Sequence, residues 1–201
     1  KRKIYTQLVD WKNQERRKPL VLNGVRQCGK TYILKEFGQK EFDNLVYVSC
    51  DRNESLHAIY SSDFDTARII RGLSALTGVD IIPGKTLIFL DEVQAFPQAL
   101  EALKYFCEDA PEYHIVVAGS LLGVALHTGV SFPVGKVQTM RLFPMDFEEF
   151  LMAMGEDQLL KLMHSKDYEL MNAFHEKLKD YLRQYSFPTR RSSDLWVECL
   201  K

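Results

Sequence analysis

Five short apolar runs punctuate an otherwise mixed chain. Leu20-Val21-Leu22 follows Pro19 and leads into a glycine-containing loop. Behind the loop, Ile33, Leu34 and Phe37 recur on one helical face, so this stretch reads strand, loop, helix. Leu45 to Val48 is the second strand candidate. Thr86 to Leu90 is the third and is apolar after its first residue, as expected of a strand buried on both faces. Ile115 to Ala118 and Val137 to Leu142 are the fourth and fifth. Between them, Asp63 to Leu76 alternates at helical spacing. A further helix beginning near Pro97 puts Leu100, Leu103, Phe106 and Cys107 on one side. Proline suits a first helical turn, where its missing N–H has no partner in any case. Strands alternating with helices predict an α/β fold with a mostly parallel sheet. From Asp146 onward no apolar strand run occurs. Leu170, Phe174, Leu178, Leu182 and Tyr185 recur every three to four residues, which reads as helical and begins an appended subdomain.

Composition narrows the class. A chain of 201 residues at 46% hydrophobic content supports one substantial core with a small appendage rather than two full domains. The net charge of -1, from 26 basic and 27 acidic residues, argues against a nucleic-acid coat or a polybasic membrane binder. Lys1-Arg2-Lys3 and Arg16-Arg17-Lys18 lie in polar surroundings and are expected on a solvated surface. Cys28, Cys50, Cys107 and Cys199 show neither C-x-x-C nor zinc-finger spacing, which fits reduced thiols in a cytoplasmic protein. No apolar run approaches the roughly 20 residues of a membrane span, and no signal-peptide pattern opens the chain. The first residue is Lys rather than Met, so the N-terminus is expected to be incomplete.

The sharpest chemical signal is Gly24-Val25-Arg26-Gln27-Cys28-Gly29-Lys30-Thr31, a match to G-x-x-x-x-G-K-[ST]. Gly24 and Gly29 allow the tight path that turns successive N–H groups inward. Those groups and the following helix N-terminus present partial positive charge to phosphate oxygens. Lys30 supplies a point charge for the β- and γ-phosphates, and the Thr31 hydroxyl is a ligand for Mg²⁺. Tyr32 completes the set expected to contact ATP. Gly84-Lys85-Thr86 is a decoy: Pro83 occupies its loop, and a strand follows instead of a helix.

Leu87-Ile88-Phe89-Leu90 ends in Asp91-Glu92. Two carboxylates at the end of a buried strand are costly to desolvate unless a cation or water meets them. Asp91 is expected to hold Mg²⁺, usually through water, and Glu92 to orient or deprotonate an attacking water. Ser120, at the tip of the next strand, either contacts the γ-phosphate or its water, or caps a helix starting at Leu121; the sequence leaves both open. The guanine-reading Asn-Lys-x-Asp motif does not occur, which favours ATP over GTP. Two functions are compatible with these residues. One is Mg²⁺-dependent ATP hydrolysis, with Lys30, Glu92 and Ser120 in catalytic roles. The other is a nucleotide-gated switch with negligible turnover.

These residues resemble the AAA-type (AAA+) ATPases in which an ATPase half precedes an uncharacterised, often nuclease-like C-terminal domain. The resemblance rests on the glycine loop, Phe89-Leu90-Asp91-Glu92-Val93-Gln94, Ala118-Gly119-Ser120, Ser131-Phe132-Pro133-Val134-Gly135-Lys136 and the block from Leu142 to Leu151. It implies a P-loop NTPase three-layer sandwich, a five-stranded sheet in the order 5-1-4-3-2, and a following helical segment. It also implies a partner subunit or homo-oligomer that lends an arginine. Nucleic acid would enter only through the C-terminal half, and no membrane is involved. Lys136 stands where relatives often carry Arg, and Lys lacks the planar fork of Arg.

The tail has a different character. Residues 186–195, Ser-Phe-Pro-Thr-Arg-Arg-Ser-Ser-Asp-Leu, read back to codons as TCT-TTC-CCT-ACA-CGA-CGC-TCT-TCC-GAT-CT, a common sequencing-library adapter. The expected organisation is therefore an ATPase core over 1–145, the start of a helical subdomain over 146–185, non-native sequence over 186–195, and an uninformative remainder over 196–201.

Overall fold

In the computed structural model, residues 2–60, 64–120 and 133–186 are described. The apolar runs form β1 (Leu20–Gly24), β2 (Asn44–Ser49), β3 (Thr86–Asp91), β4 (His114–Gly119) and β5 (Gln138–Leu142). They make one sheet in the order β2-β3-β4-β1-β5, with every pairing parallel. This is the 5-1-4-3-2 arrangement of a P-loop α/β fold. Position in the sheet explains each strand's pattern. The inner strands β3 and β4 are buried along their whole length, whereas the edge strands β2 and β5 alternate.

The helices of this unit are α1 (Ile4–Lys12), α2 (Lys30–Glu41), α3 (Ser55–Ile59), α4 (Thr66–Thr77) and α5 (Gln98–Asp109). Alternate strand residues feed two separate cores. Leu20, Leu22, Phe89 and Val116 pack with Trp11, Leu34 and Phe37 of α1 and α2. Val21, Ile88, Leu90 and Val117 pack with Ile69, Leu73, Leu103 and Phe106 of α4 and α5. The result is three layers. Each fully buried Leu, Ile or Phe contributes roughly 1.5–3 kcal/mol relative to exposure. Cys107, expected on the buried side of α5, is half-buried at the margin of its face.

The chain divides into two compact units. One is Ile4–Pro144. The other combines Lys1–Lys3 with Met145–Lys201, of which residues 2–3 and 145–186 are described. The second unit holds α6 (Phe147–Ala153), α7 (Asp157–Ser165), α8 (Tyr168–Ala173) and α9 (His175–Ser186). Helix α6 begins with a capping box: Asp146 accepts from the Glu149 amide, and Glu149 accepts from the Asp146 amide. Glu149 also meets Arg2 at 3.0 Å, and Lys3 meets Asp146 at 2.7 Å. The basic run expected on a solvated surface is thus drawn into ion pairs, with Arg2 buried, because α6 opens with a buried acid that needs a partner.

The stripe Leu170 to Tyr185 is helical, as expected, but it is split into two helices. At Phe174 the backbone closes onto Met171, three residues back, and this ends the first helix. Leu170, Phe174 and Leu182 are 48%, 43% and 45% exposed. Of the stripe, Tyr185 does face inward; with Tyr181, which lies outside the stripe, it meets the Phe150 ring, at centroid distances of 5.7 and 6.2 Å. Residues 187–201 and the Ser120 capping expectation at Leu121 lie outside the described residues.

Candidate functional site

In parallel sheets the strand ends that deliver a chain into a helix converge on one edge. Here that edge carries the glycine loop after β1, the acid pair after β3, and Ser120 after β4. Strand β1 lies between β4 and the edge strand β5, and Gly24 pairs with Leu142 of β5. The pairing is so close that a Cβ on Gly24 would lie 2.5 Å from the Leu142 carbonyl oxygen and 2.8 Å from Cys28 Sγ. Only glycine fits.

The loop then runs through Gln27 at φ 61° and Gly29 at φ 92°. A left-handed glutamine is unusual and holds only where its surroundings determine it. Gly29 precedes α2 with no side-chain cap, leaving the amides of the first turn available. Lys30 is buried and donates from Nζ to the Gly24 and Val25 carbonyls, each at 2.9 Å. Val25 is exposed and Cys28 is buried, so these two shape the loop rather than its polar surface.

The loop meets the acid pair through one hydrogen bond. Thr31 Oγ1 donates to Asp91 Oδ2 at 2.6 Å, joining residues sixty positions apart in sequence. The other Asp91 oxygen accepts from the Glu92 amide at 3.0 Å, and Tyr47 OH lies 3.4 Å from Oδ2. Asp91 is only 4% exposed. Burial, followed by the charge of Asp91, raises the Tyr47 phenol and keeps it a donor. Burial, then Asp91 and Glu92, push the Cys50 thiol up to about 12, so it stays protonated.

A cavity of about 800 Å³ opens between these elements. Arg26, Gln27, Gly29, Lys30, Thr31 and Tyr32 line one side, and Asp51, Glu92, Gln94 and Ala95 the other. Asp91 reaches it through Thr31. Ser120 Oγ and Asn23 Oδ1 are buried without a hydrogen-bond partner among the described residues. Asn23 pairs in register with Gly119, the residue before Ser120, so two orphaned polar groups stand at neighbouring strand tips. Such groups are costly unless something arrives to bond them. Asp51, Tyr47 and Gln94 were not singled out for roles in the sequence. Asp51 carried the same signal as Asp91, an acid just past an apolar strand.

Two expectations from motif reading are clarified here. Lys136 lies before β5, at the strand-start edge, and pairs with Glu108 at 2.7 Å. A β5 of five residues separates it by about 16 Å from the edge that bears the glycine loop. The decoy Gly84-Lys85-Thr86 likewise opens β3 at the strand-start edge, with Thr86 fully buried. Among the described residues no three His, Cys, Asp or Glu side chains cluster as a metal cage. No helix there is long and apolar enough to cross a membrane.

Comparison with known proteins places this geometry in a family. A family model described as "AAA domain" matches residues 16–151. No curated protein matches the chain. Among solved structures, the Walker-type ATPase PABY2304 of Pyrococcus abyssi is similar at a TM-score of 0.48 and 16% identity. The match covers 79% of this chain, which spans 59% of the length of that one.

Proposed function

From the premise that this chain belongs to the AAA domain family of nucleotide-binding ATPase modules, we propose that it binds ATP with Mg²⁺ and hydrolyses it. The single observation that carries the reading is the 2.6 Å bond from Thr31 to Asp91, with Glu92 adjacent and a cavity in front. A hydroxyl and a carboxylate are hard oxygen donors of the kind Mg²⁺ takes, and Mg²⁺ in phosphate sites needs only one or two protein ligands. The glycine cradle that a Cβ would fill fits a phosphate approaching the backbone closely.

In this reading the loop amides and the α2 N-terminus hold the phosphates. Lys30 exchanges the Gly24 and Val25 carbonyls for phosphate oxygens, a charge-assisted contact in place of a neutral one. Thr31 and Asp91 would hold Mg²⁺, which would supply positive charge to the phosphate oxygens. Glu92 accepts a proton from a water whose oxygen attacks the γ-phosphorus, and the bond to the bridging oxygen of ADP breaks. Ser120 offers its hydroxyl to the water or the γ-phosphate, and Asn23 offers its Oδ1 as an acceptor to the water. The assembly that lends an arginine and any action on nucleic acid are expectations from resemblance, and the location in the cytoplasm is an expectation from the cysteine spacing.

The test is Glu92→Gln in the intact protein. The variant should bind a fluorescent ATP analogue near wild-type affinity, while hydrolysis falls ~10²-fold or more. Wild-type turnover by the variant would overturn the role of Glu92. Failure of the unmutated protein to bind nucleotide would overturn the whole reading.

A further inference from the structure

Beyond the acid pair, the chain turns through a single 3-10 turn, Val93–Ala95. Glu92 enters it with φ 52°, in the left-handed region, and the turn closes by Ala95 N to Glu92 O and Phe96 N to Val93 O. Val93 is fully buried and Phe96 nearly so, which anchors both ends of the turn in the core. A non-glycine residue keeps such a backbone only when its neighbours over-determine it, and such residues gather at functional sites. The rigid turn aims the next polar side chain back at Glu92: Gln94 Nε2 donates to Glu92 Oε2.

The orientation of that amide follows from chemistry. A carboxylate can only accept, so the nitrogen end must face Glu92. The oxygen end, Gln94 Oε1, is then left buried with no partner among the described residues. Both side chains line the cavity. A purely structural amide would satisfy both of its ends. This one satisfies only the end that touches Glu92 and leaves its oxygen buried and unpaired among the described residues, so the Glu92 contact alone holds it there.

We propose that Gln94 is the positioning residue for Glu92: through Nε2 it holds the carboxylate in one orientation at the edge of the cavity. The inference rests on the hydrolytic reading above and names how Glu92 is aimed. Glu92 has several rotatable bonds, and an unaimed base is a poor one, since the acceptor must lie within hydrogen-bond reach of the proton it takes. Alignment acts on the chemical step and not on the phosphates, so its loss separates kcat from KM.

Three variants in the intact protein test this, with Glu92→Gln as the reference. Gln94→Met keeps the bulk of the side chain but neither donates nor accepts like an amide, and should lower kcat about tenfold while KM and ATP-analogue affinity stay within about twofold. Gln94→Glu sets a like charge against Glu92 and should lower kcat further. Gln94→Asn, a shorter amide, should recover part of the loss. Wild-type kcat in Gln94→Met overturns the proposal, and so does a loss of affinity in proportion to kcat. If Glu92→Gln itself hydrolyses normally, the water-activation reading fails instead. A second measurement works without turnover. In a proton–nitrogen NMR spectrum, the Gln94 side-chain amide, identified by its loss in Gln94→Met, should show two well-separated proton shifts that converge in Glu92→Ala. No change in Glu92→Ala overturns the contact.

Discussion

At the scale of single residues, backbone demands are what make the glycine loop legible. Gly24 lies so close to the Leu142 carbonyl that any side chain collides with backbone rather than with a flexible group. Gly24→Ala is therefore expected to disturb the β1–β5 pairing and the loop together, with nucleotide affinity falling at least tenfold and the melting temperature dropping by several degrees. Titration of a fluorescent ATP analogue and a thermal melt check it; an unaltered pair of values would show that the loop has room to shift. Asp91→Asn keeps an oxygen for Thr31 Oγ1 but loses the charge. Its nucleotide binding should weaken more in Mg²⁺ than in EDTA, and equal losses in both would count against Asp91 as a metal partner. The residues that sequence reading passed over, Tyr47, Asp51 and Gln94, share a reason. Tyr47 and Asp51 belong to no spaced motif and join the site because β2 runs beside β3, whereas Gln94 stood inside a quoted block whose spacing gave it no role of its own.

At the scale of elements, caps and ends decide more than periodicity. Helix α4 is bounded by Asp65, whose carboxylate accepts from the Ala67 amide, and by Gly78 at φ 70°. Helix α2, by contrast, has no side-chain cap, as befits a terminus whose free amides have a use. Helix α6 is held by the Asp146–Glu149 box. Lys3 donates to Asp146 and keeps this carboxyl below the usual range against the opposing effect of burial. Asp146→Ala should cost about 1 kcal/mol, mostly through the cap, since the Lys3 pair is half-exposed. Amide exchange within α6 should quicken about fivefold; unchanged protection would mean that the box adds nothing. The broken stripe of Leu170, Phe174 and Leu182 shows the limit of the pattern. A period of three to four residues marks a helix, but it does not tell which face a neighbouring helix will cover.

At the scale of the whole molecule, stability is tied to a group far from the site. His114 opens β4, ringed by Trp11 at 5.9 Å and Phe42 at 4.8 Å. Burial, then the nearby Arg17, lower it from 6.5 to about 4. The folded state therefore holds this imidazole neutral where the unfolded chain has begun to protonate it. Its contribution is fully present above pH 6.5 and is lost as pH falls from 6.5 toward about 4. The loss should reach roughly 1–2 kcal/mol by pH 5. The urea midpoint of the wild type should fall between pH 7 and pH 5, and His114→Phe should flatten that slope. Parallel slopes in both proteins would assign the acid sensitivity to other groups.

The sequence by itself determined the strands, the helix that follows the glycine loop, the loop and the acid pair, because each is written in local spacing: alternation, continuous apolar runs, or a fixed motif. The inner strands read clearly because both faces are buried, and the sheet order came from family resemblance rather than from any run of residues. Only the tertiary structure decided that Thr31 meets Asp91, that Arg2 and Lys3 answer the acids of α6, and that Lys136 lies at the edge away from the loop. These depend on which distant segments come together. That is settled by the burial of whole strands and helices against one another, and no local pattern records it.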